Sequence, residues 1–204
     1  MLALPTGPPE LPPEPPAAPA VVVRWRDSVA TGMPTGGRLV RGVRFPRQGR
    51  HFFTWDPLEH VSPSPGWRRN GTDGLVRIVL SVVRGFAAEH PRAPRVGVGD
   101  LSRPRGGSFG PEWGGPGHVS HQNGLDVDVY FPRLDRRKRP PRTIAQVDLG
   151  LSQDLVDRFV QAGASKIFVG PSTRLRGPPG IVEVLPHHDN HLHVRIPPGR
   201  ASRP

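Results

Sequence analysis

Two stretches, GLDVDVYF at residues 124–131 and HLHVRI at residues 191–196, constrain this chain more than any other feature. In each, polar and apolar residues alternate with period two, the signature of a strand with two chemically different faces. In the first, Leu125, Val127 and Val129 face one way, and Asp126 and Asp128 the other. In the second, Leu192 and Val194 share one face, His191 and His193 the other. A pair of carboxylates on an apolar strand needs partners, and a pair of imidazoles supplies them. If the two strands neighbour each other in one sheet, His and Asp converge over it. The histidines are concentrated to match: six of the nine lie in HVSHQNGLDVDVYFP (118–132) and HHDNHLHVRI (187–196). His121 precedes the first strand across Asn123-Gly124, a turn signal that can fold its ring back beside the strand.

What could hold such a cluster together is narrowed by composition. There is no cysteine, which excludes disulfides, Cys-rich zinc folds and thiol nucleophiles. A metal would be held by His and carboxylate, which suits an open catalytic zinc better than a closed structural one. The net charge is +11, and of 28 basic residues only Lys138 and Lys166 are lysine. Arginine-rich basicity fits phosphate or carboxylate partners. A nucleic-acid face of Arg and His does not explain an acidic pair beside the histidines, because carboxylates repel phosphate. No nucleic acid is therefore expected, and an anionic cell-wall polymer is a possible partner. No run approaches the roughly 18 apolar residues of a membrane span, and the N-terminus shows no secretory pattern.

The organisation expected is a Pro-rich tail over 1–20, one domain over 21–198 and a tail over 199–204. The fold class expected is α+β, with a central, mostly antiparallel sheet carrying the metal site. Two or three helices and long Gly/Pro loops flank it. The periodicity predicts a hairpin over 38–55 turning at Pro-Arg-Gln-Gly, and a buried helix over 74–90 capped by Asp73. It further predicts strands at 95–98 and 166–169, and a helix over 151–162 starting at Ser152. GDLSRPRGGSFGPEWGGPG (99–117) is a long loop of the kind that is usually functional. RLDRRKRPPR (133–142) reads as an exposed, solvated excursion, with contact to an anionic polymer as the other reading. His51 reads as a strand-end packing residue, and His60 and His90 as surface residues.

SHQNGLDVD followed by a late HDNHLHVR resembles the penicillin-insensitive murein endopeptidases. These are related to lysostaphin-type enzymes, D-Ala-D-Ala peptidases and the zinc domain of hedgehog proteins. The shared signature is His, six residues, Asp, then a distant His-x-His, here His121, Asp128, His191 and His193. VGVGDLSRPRGG (96–107) is similar to the segment ahead of the first motif, and the resemblance spans roughly 38–196. It implies that Zn2+ is bound by His121, Asp128 and His193, with His118 a further ligand or a neighbour of one. His191 is implied as the catalytic base and His188 as a second active-site histidine. Spacing alone leaves Asp126 and Asp128 equivalent; the signature selects Asp128. His187 reads as a bystander, and Asp189 as either a loop cap or a group orienting a histidine ring.

The function expected from the resemblance is zinc-dependent hydrolysis of the peptide cross-bridge of peptidoglycan, outside the cytoplasm. Arg103 and Arg105 in the Gly-rich loop could hold substrate carboxylates. No HExxH is present, so no helix-borne glutamate takes the proton. No acylated serine is needed, which explains insensitivity to penicillin. The alternatives are a D,D-carboxypeptidase on the same fold, or a non-catalytic protein binding zinc, wall or nucleic acid.

Overall fold

The computed structural model describes residues 22–113 and 119–199. His118 and the two terminal tails lie outside the described residues. In chain order the elements are β1 (Val29–Thr31), β2 (Arg38–Val40), β3 (Val43–Arg44), β4 (Phe52–Thr54) and β5 (Asn70–Gly71). There follow α1 (Asp73–Glu89), β6 (Val96–Val98), β7 (Asp126–Tyr130), α2 (Leu149–Gln161), β8 (Lys166–Val169), β9 (Val182–Val184) and β10 (His191–Arg195). The central sheet has six strands in the order β4-β6-β7-β10-β8-β9. Its three inner pairings are antiparallel; the outer ones, β4-β6 and β8-β9, are parallel. The class is α+β, as the periodicity predicts.

The two alternating strands lie side by side at the centre of this sheet. Their apolar faces build the core: Leu125, Val127, Val129, Leu192 and Val194 are all buried. They share one continuous cluster with the apolar stripe of α1, Leu75, Val76, Val79, Val82, Val83 and Phe86. Spacings of three and four put that stripe on one side of the helix. Leu155, Val156 and Phe159 of α2 join the same cluster. The helices are tied at their ends, where Arg158 pairs with Glu89 and His90 Nε2 lies 3.2 Å from Asp154. His90 also packs on Phe86, so it joins two elements rather than sitting on the surface as expected.

Local signals placed several boundaries differently. Thr72, not Asp73, caps α1, its hydroxyl accepting from Leu75 N–H. Asp73 instead binds Ser28. α2 begins two residues before the expected start, because Asp148 accepts from Leu151 N–H. The hairpin over 38–55 does not form as a unit. β2 pairs with β1, β3 with β5 and β4 with β6, leaving one bridge, Gln48 to Phe53, across the turn. Non-local strand partners outcompeted the local turn. The excursion over 133–142 is anchored: Arg133 is buried and held by Asp135 and Gln146. β9 was not expected, and its three residues are mostly half-buried.

Candidate metal centre

The register sets the site. His193 lies opposite Asp128, Arg195 opposite Asp126 and His191 opposite Tyr130. Directly opposed side chains on one face of a sheet stand close enough to interact. The polar face is not open: Asp126 is fully buried and Asp128 nearly so. It is roofed by the loop ahead of β7, which His121 enters in the left-handed region at φ 67°. That conformation is uncommon for a residue with a side chain and needs support from its surroundings. Here His121 N–H points to Asp126 Oδ2 at 3.3 Å, and Nδ1–H donates to the Leu101 carbonyl at 2.8 Å. Because a carbonyl only accepts, Nδ1 carries the proton, and the Nε2 lone pair faces Asp128.

His193 is fixed the same way from the other side. Its Nε2 donates to Asp126 Oδ1 at 3.0 Å, which turns Nδ1 toward Asp128 Oδ1 at 3.3 Å. Ser120 Oγ also approaches Nε2, at 3.3 Å. His121 Nε2 is likewise 3.3 Å from Asp128 Oδ1. One ligand atom from each of His121, Asp128 and His193 lies within 4.8 Å of the others. Ligands bound at about 2.0–2.1 Å to a tetrahedral ion stand about 3.3 Å apart. The three residues therefore could hold a metal ion, and each histidine already has its other nitrogen bound, as metal-ligating histidines do.

The two aspartates take different roles. Asp126 accepts from His193 and from Arg195 Nε at 2.7 Å. Burial pushes its carboxyl up, but the hydrogen bond from His193 and the charges of His121, His193 and Arg195 hold it below the ordinary value. It is the anchor behind His193, whereas Asp128 faces Nε2 of His121 and Nδ1 of His193. Burial also opposes charge on His193, yet its bonds to Asp126 and Asp128 raise it to about 9. Without a metal, His193 is thus a cation between two carboxylates at neutral pH. Burial first, then Asp128 and Asp100, push the Tyr130 phenol well above its usual value, so it stays neutral.

His191 lies at the edge of the cluster, less buried than His121 and His193. Its Nδ1–H donates to Asn190 Oδ1 at 2.6 Å, and its Nε2 stands 3.7 Å from Asp128 Oδ1. The His188 ring lies 4.8 Å from that of His191, with Nδ1 bound to the Pro186 carbonyl at 2.8 Å. His187 is exposed at φ 67°, and Asp189 caps the loop at Ser172 instead of orienting a histidine. Arg103 and Arg105 diverge. The Arg103 guanidinium stacks 3.9 Å over Trp113, while Arg105 lines a separate cavity rich in arginine. Trp67, Phe109 and Trp113 form an aromatic wall that reaches His121 through Phe109 at 6.4 Å. Neither that wall nor the anchoring by Asn190 and the Leu101 carbonyl was identified from the sequence. The only hints were the aromatics of SFGPEW inside a Gly/Pro loop and an amide next to His191.

A family model described as penicillin-insensitive murein endopeptidase matches residues 31–177. No curated protein matches the chain. The matched segment contains His121, Asp126 and Asp128 but stops short of His188, His191 and His193. The second half of the centre is joined to the first by the β7-β10 register and the side-chain contacts that it sets up.

Proposed function

The chain belongs to the penicillin-insensitive murein endopeptidase family, and from that premise we propose that it is a zinc-dependent D,D-endopeptidase. Its substrate is a D-amino-acid amide bond in the peptide cross-bridge of peptidoglycan, which places its action in the periplasm or cell wall. Zn2+ is held by His121, Asp128 and His193, with His118 as a further ligand or neighbour. When bound, zinc acidifies water toward a pKa of about 7 and polarises a carbonyl. The observation that carries the reading is the buried His121-Asp128-His193 group with His191 Nε2 beside it.

The chain's own residues supply the rest. Asn190 holds the Nδ1 proton of His191, so Nε2 accepts a proton at the ligand cluster and returns it to the leaving amine. His188, packed on His191, offers its Nε2 to the developing oxyanion. Asp126 and the Leu101 carbonyl keep the ligand rings in position. Arg103, over Trp113 on the aromatic wall, is placed to hold a stem-peptide carboxylate. Arg105 fits that role less well, since it lines another cavity.

The test is a digest of purified sacculi read by mass, with metal content measured on the same protein. Cross-linked dimers falling to monomers with one zinc per chain is the expected result. Release of terminal D-alanine without loss of dimers would make it a carboxypeptidase. No hydrolysis by zinc-loaded protein would leave a binding role.

A further inference from the structure

One large cavity among the described residues lies apart from the candidate metal centre and contains none of its residues. It is about 1080 Å³, lined by the segment from Val22 to Arg26, by β2 and the chain through Gln48, by Arg69 and Asn70, and by Pro104 and Arg105. Eight of its seventeen lining residues are arginine and none is acidic. Arg24, Arg38, Arg44, Arg47 and Arg105 are exposed, while Arg69 is buried at its floor. None of the eight makes an ion pair among the described residues; Arg69 donates only to the Ser64 and Phe45 carbonyls. Against a whole-chain charge of +11, this one concavity holds most of the excess. Self-repulsion of that kind destabilises a compact state unless an anion relieves it.

We propose that this cavity binds a flexible, base-free oxyanion polymer, the phosphodiester or uronate chain of an anionic wall polymer. The identity of the polymer's source rests on the murein reading above; the binding chemistry does not. Guanidinium groups match phosphate and carboxylate oxygens two at a time. The volume lies at the upper end of the roughly 300–1,000 Å³ of ligand pockets, and the cavity is open to solvent, so a short stretch of one strand can enter while the rest runs on outside. Single-stranded nucleic acid fits poorly, because such sites need aromatic platforms for the bases. Among the described residues the lining holds one aromatic, Phe45, which is wholly buried. Trp25, between Arg24 and Arg26, lies outside the lining with Arg77 stacked 3.9 Å above its ring. Burial, then Arg44 and Arg47, lower Arg69 to about 10, consistent with the positive field of the neighbouring guanidinium groups. Held there, the polymer keeps the peptidase on the wall without occupying the metal centre.

The experiment measures binding of the full chain to poly(glycerol phosphate), polygalacturonate and a thymidine oligomer of matched charge. An Arg24→Glu/Arg44→Glu/Arg47→Glu variant is compared with an Arg92→Glu/Lys138→Glu/Arg142→Glu variant of equal charge change. The cavity variant should lose about tenfold or more in affinity for at least one base-free polymer. The control should change less than about twofold, and both should keep the wild-type circular dichroism. Equal loss in the two variants would reduce the effect to net charge and overturn the proposal. Tighter binding of the thymidine oligomer would overturn it in favour of nucleic acid, and absence of polymer binding would sink it outright. None of the polymers carries a scissile peptide, so failure here is separable from failure to cleave murein. Turnover of a short soluble muropeptide by the cavity variant, measured alongside, should match wild type.

Discussion

Asp126 and Asp128 are two residues apart, share a strand face and divide the work through their neighbours. Asp128 sits between three imidazoles, and Asp126 is held by His193, Arg195 and the backbone of His121. Asp128→Ala should therefore abolish zinc binding. Asp126→Asn should retain one zinc with affinity lowered about 10–100-fold, the usual cost of losing a group behind a ligand. Isothermal titration separates the two, and the reverse pattern would exchange their roles. His191→Ala should keep the metal and lose about 10²–10⁴ in turnover, as removal of a general base does. Loss of zinc equal to that of His193→Ala would make His191 a ligand. The pH dependence of the metal-free protein follows from the same residues. His193 rises from 6.5 to about 9 on folding, so its contribution is complete below pH 6.5 and is lost as pH rises toward 9. Asp126 is held below 3.8, so its contribution is present above that pH and lost in acid. Denaturant midpoints across this range check both signs. Zinc affinity should rise from pH 6.5 to 9, because the Nδ1 proton of His193 must leave.

At the scale of elements, the site depends on how the loop before β7 is held. Gly106 bridges β2 to that loop, with φ at 71°. A Cβ there would lie 2.1 Å from the Gln122 carbonyl oxygen and 2.6 Å from Leu39 N. Gly106→Ala should cost about 2–4 kcal/mol and weaken zinc binding with it, since His121 adjoins Gln122. Thermal melts with and without zinc measure both; an unchanged melt would show that the loop moves freely. The two strands of the site and both helices were legible in the sequence, because their periodicity is strong and their apolar faces are complete. The hairpin over 38–55 was not, since β3 and β4 are so short that distant β5 and β6 decide their pairing. The true caps were missed by one or a few residues. Thr72 sits beside Asp73, and Asp148 lies four residues before Ser152; each pair offers two plausible starts that only backbone geometry distinguishes.

Across the whole molecule, metal and charge act on different regions. Under the proposed function, zinc would bind only the folded centre, so it should stabilise by about 2.7 kcal/mol at a free concentration a hundredfold above its dissociation constant. A chelator should lower the melting temperature and remove activity, and added zinc should restore both. Basic charge should matter for reaching the wall: action on intact sacculi should fall with salt more steeply than cleavage of a short muropeptide. Parallel salt titrations of the two substrates check this, and equal slopes would place the charge dependence at the metal centre. The excursion over 133–142 contributes less than its sequence suggests, because Asp135 pairs with both Arg133 and Arg137.

By itself, the sequence determined the polar and apolar faces of β7 and β10. Alternation in a strand is local and leaves no choice of side. It also determined that any metal would be held by His and carboxylate, since cysteine is absent. Only the tertiary structure decided that His193 lies opposite Asp128 and Arg195 opposite Asp126, because register is fixed by core packing across the 60 positions between the two strands rather than by either strand alone. That register separates Asp128, which faces His121, His191 and His193, from Asp126, which anchors His193 and Arg195, two carboxylates the chain presents as equals. The aromatic wall and the arginine cavity were invisible for the same reason. Each is assembled from short pieces of loop and strand that become neighbours only when the chain closes around its core.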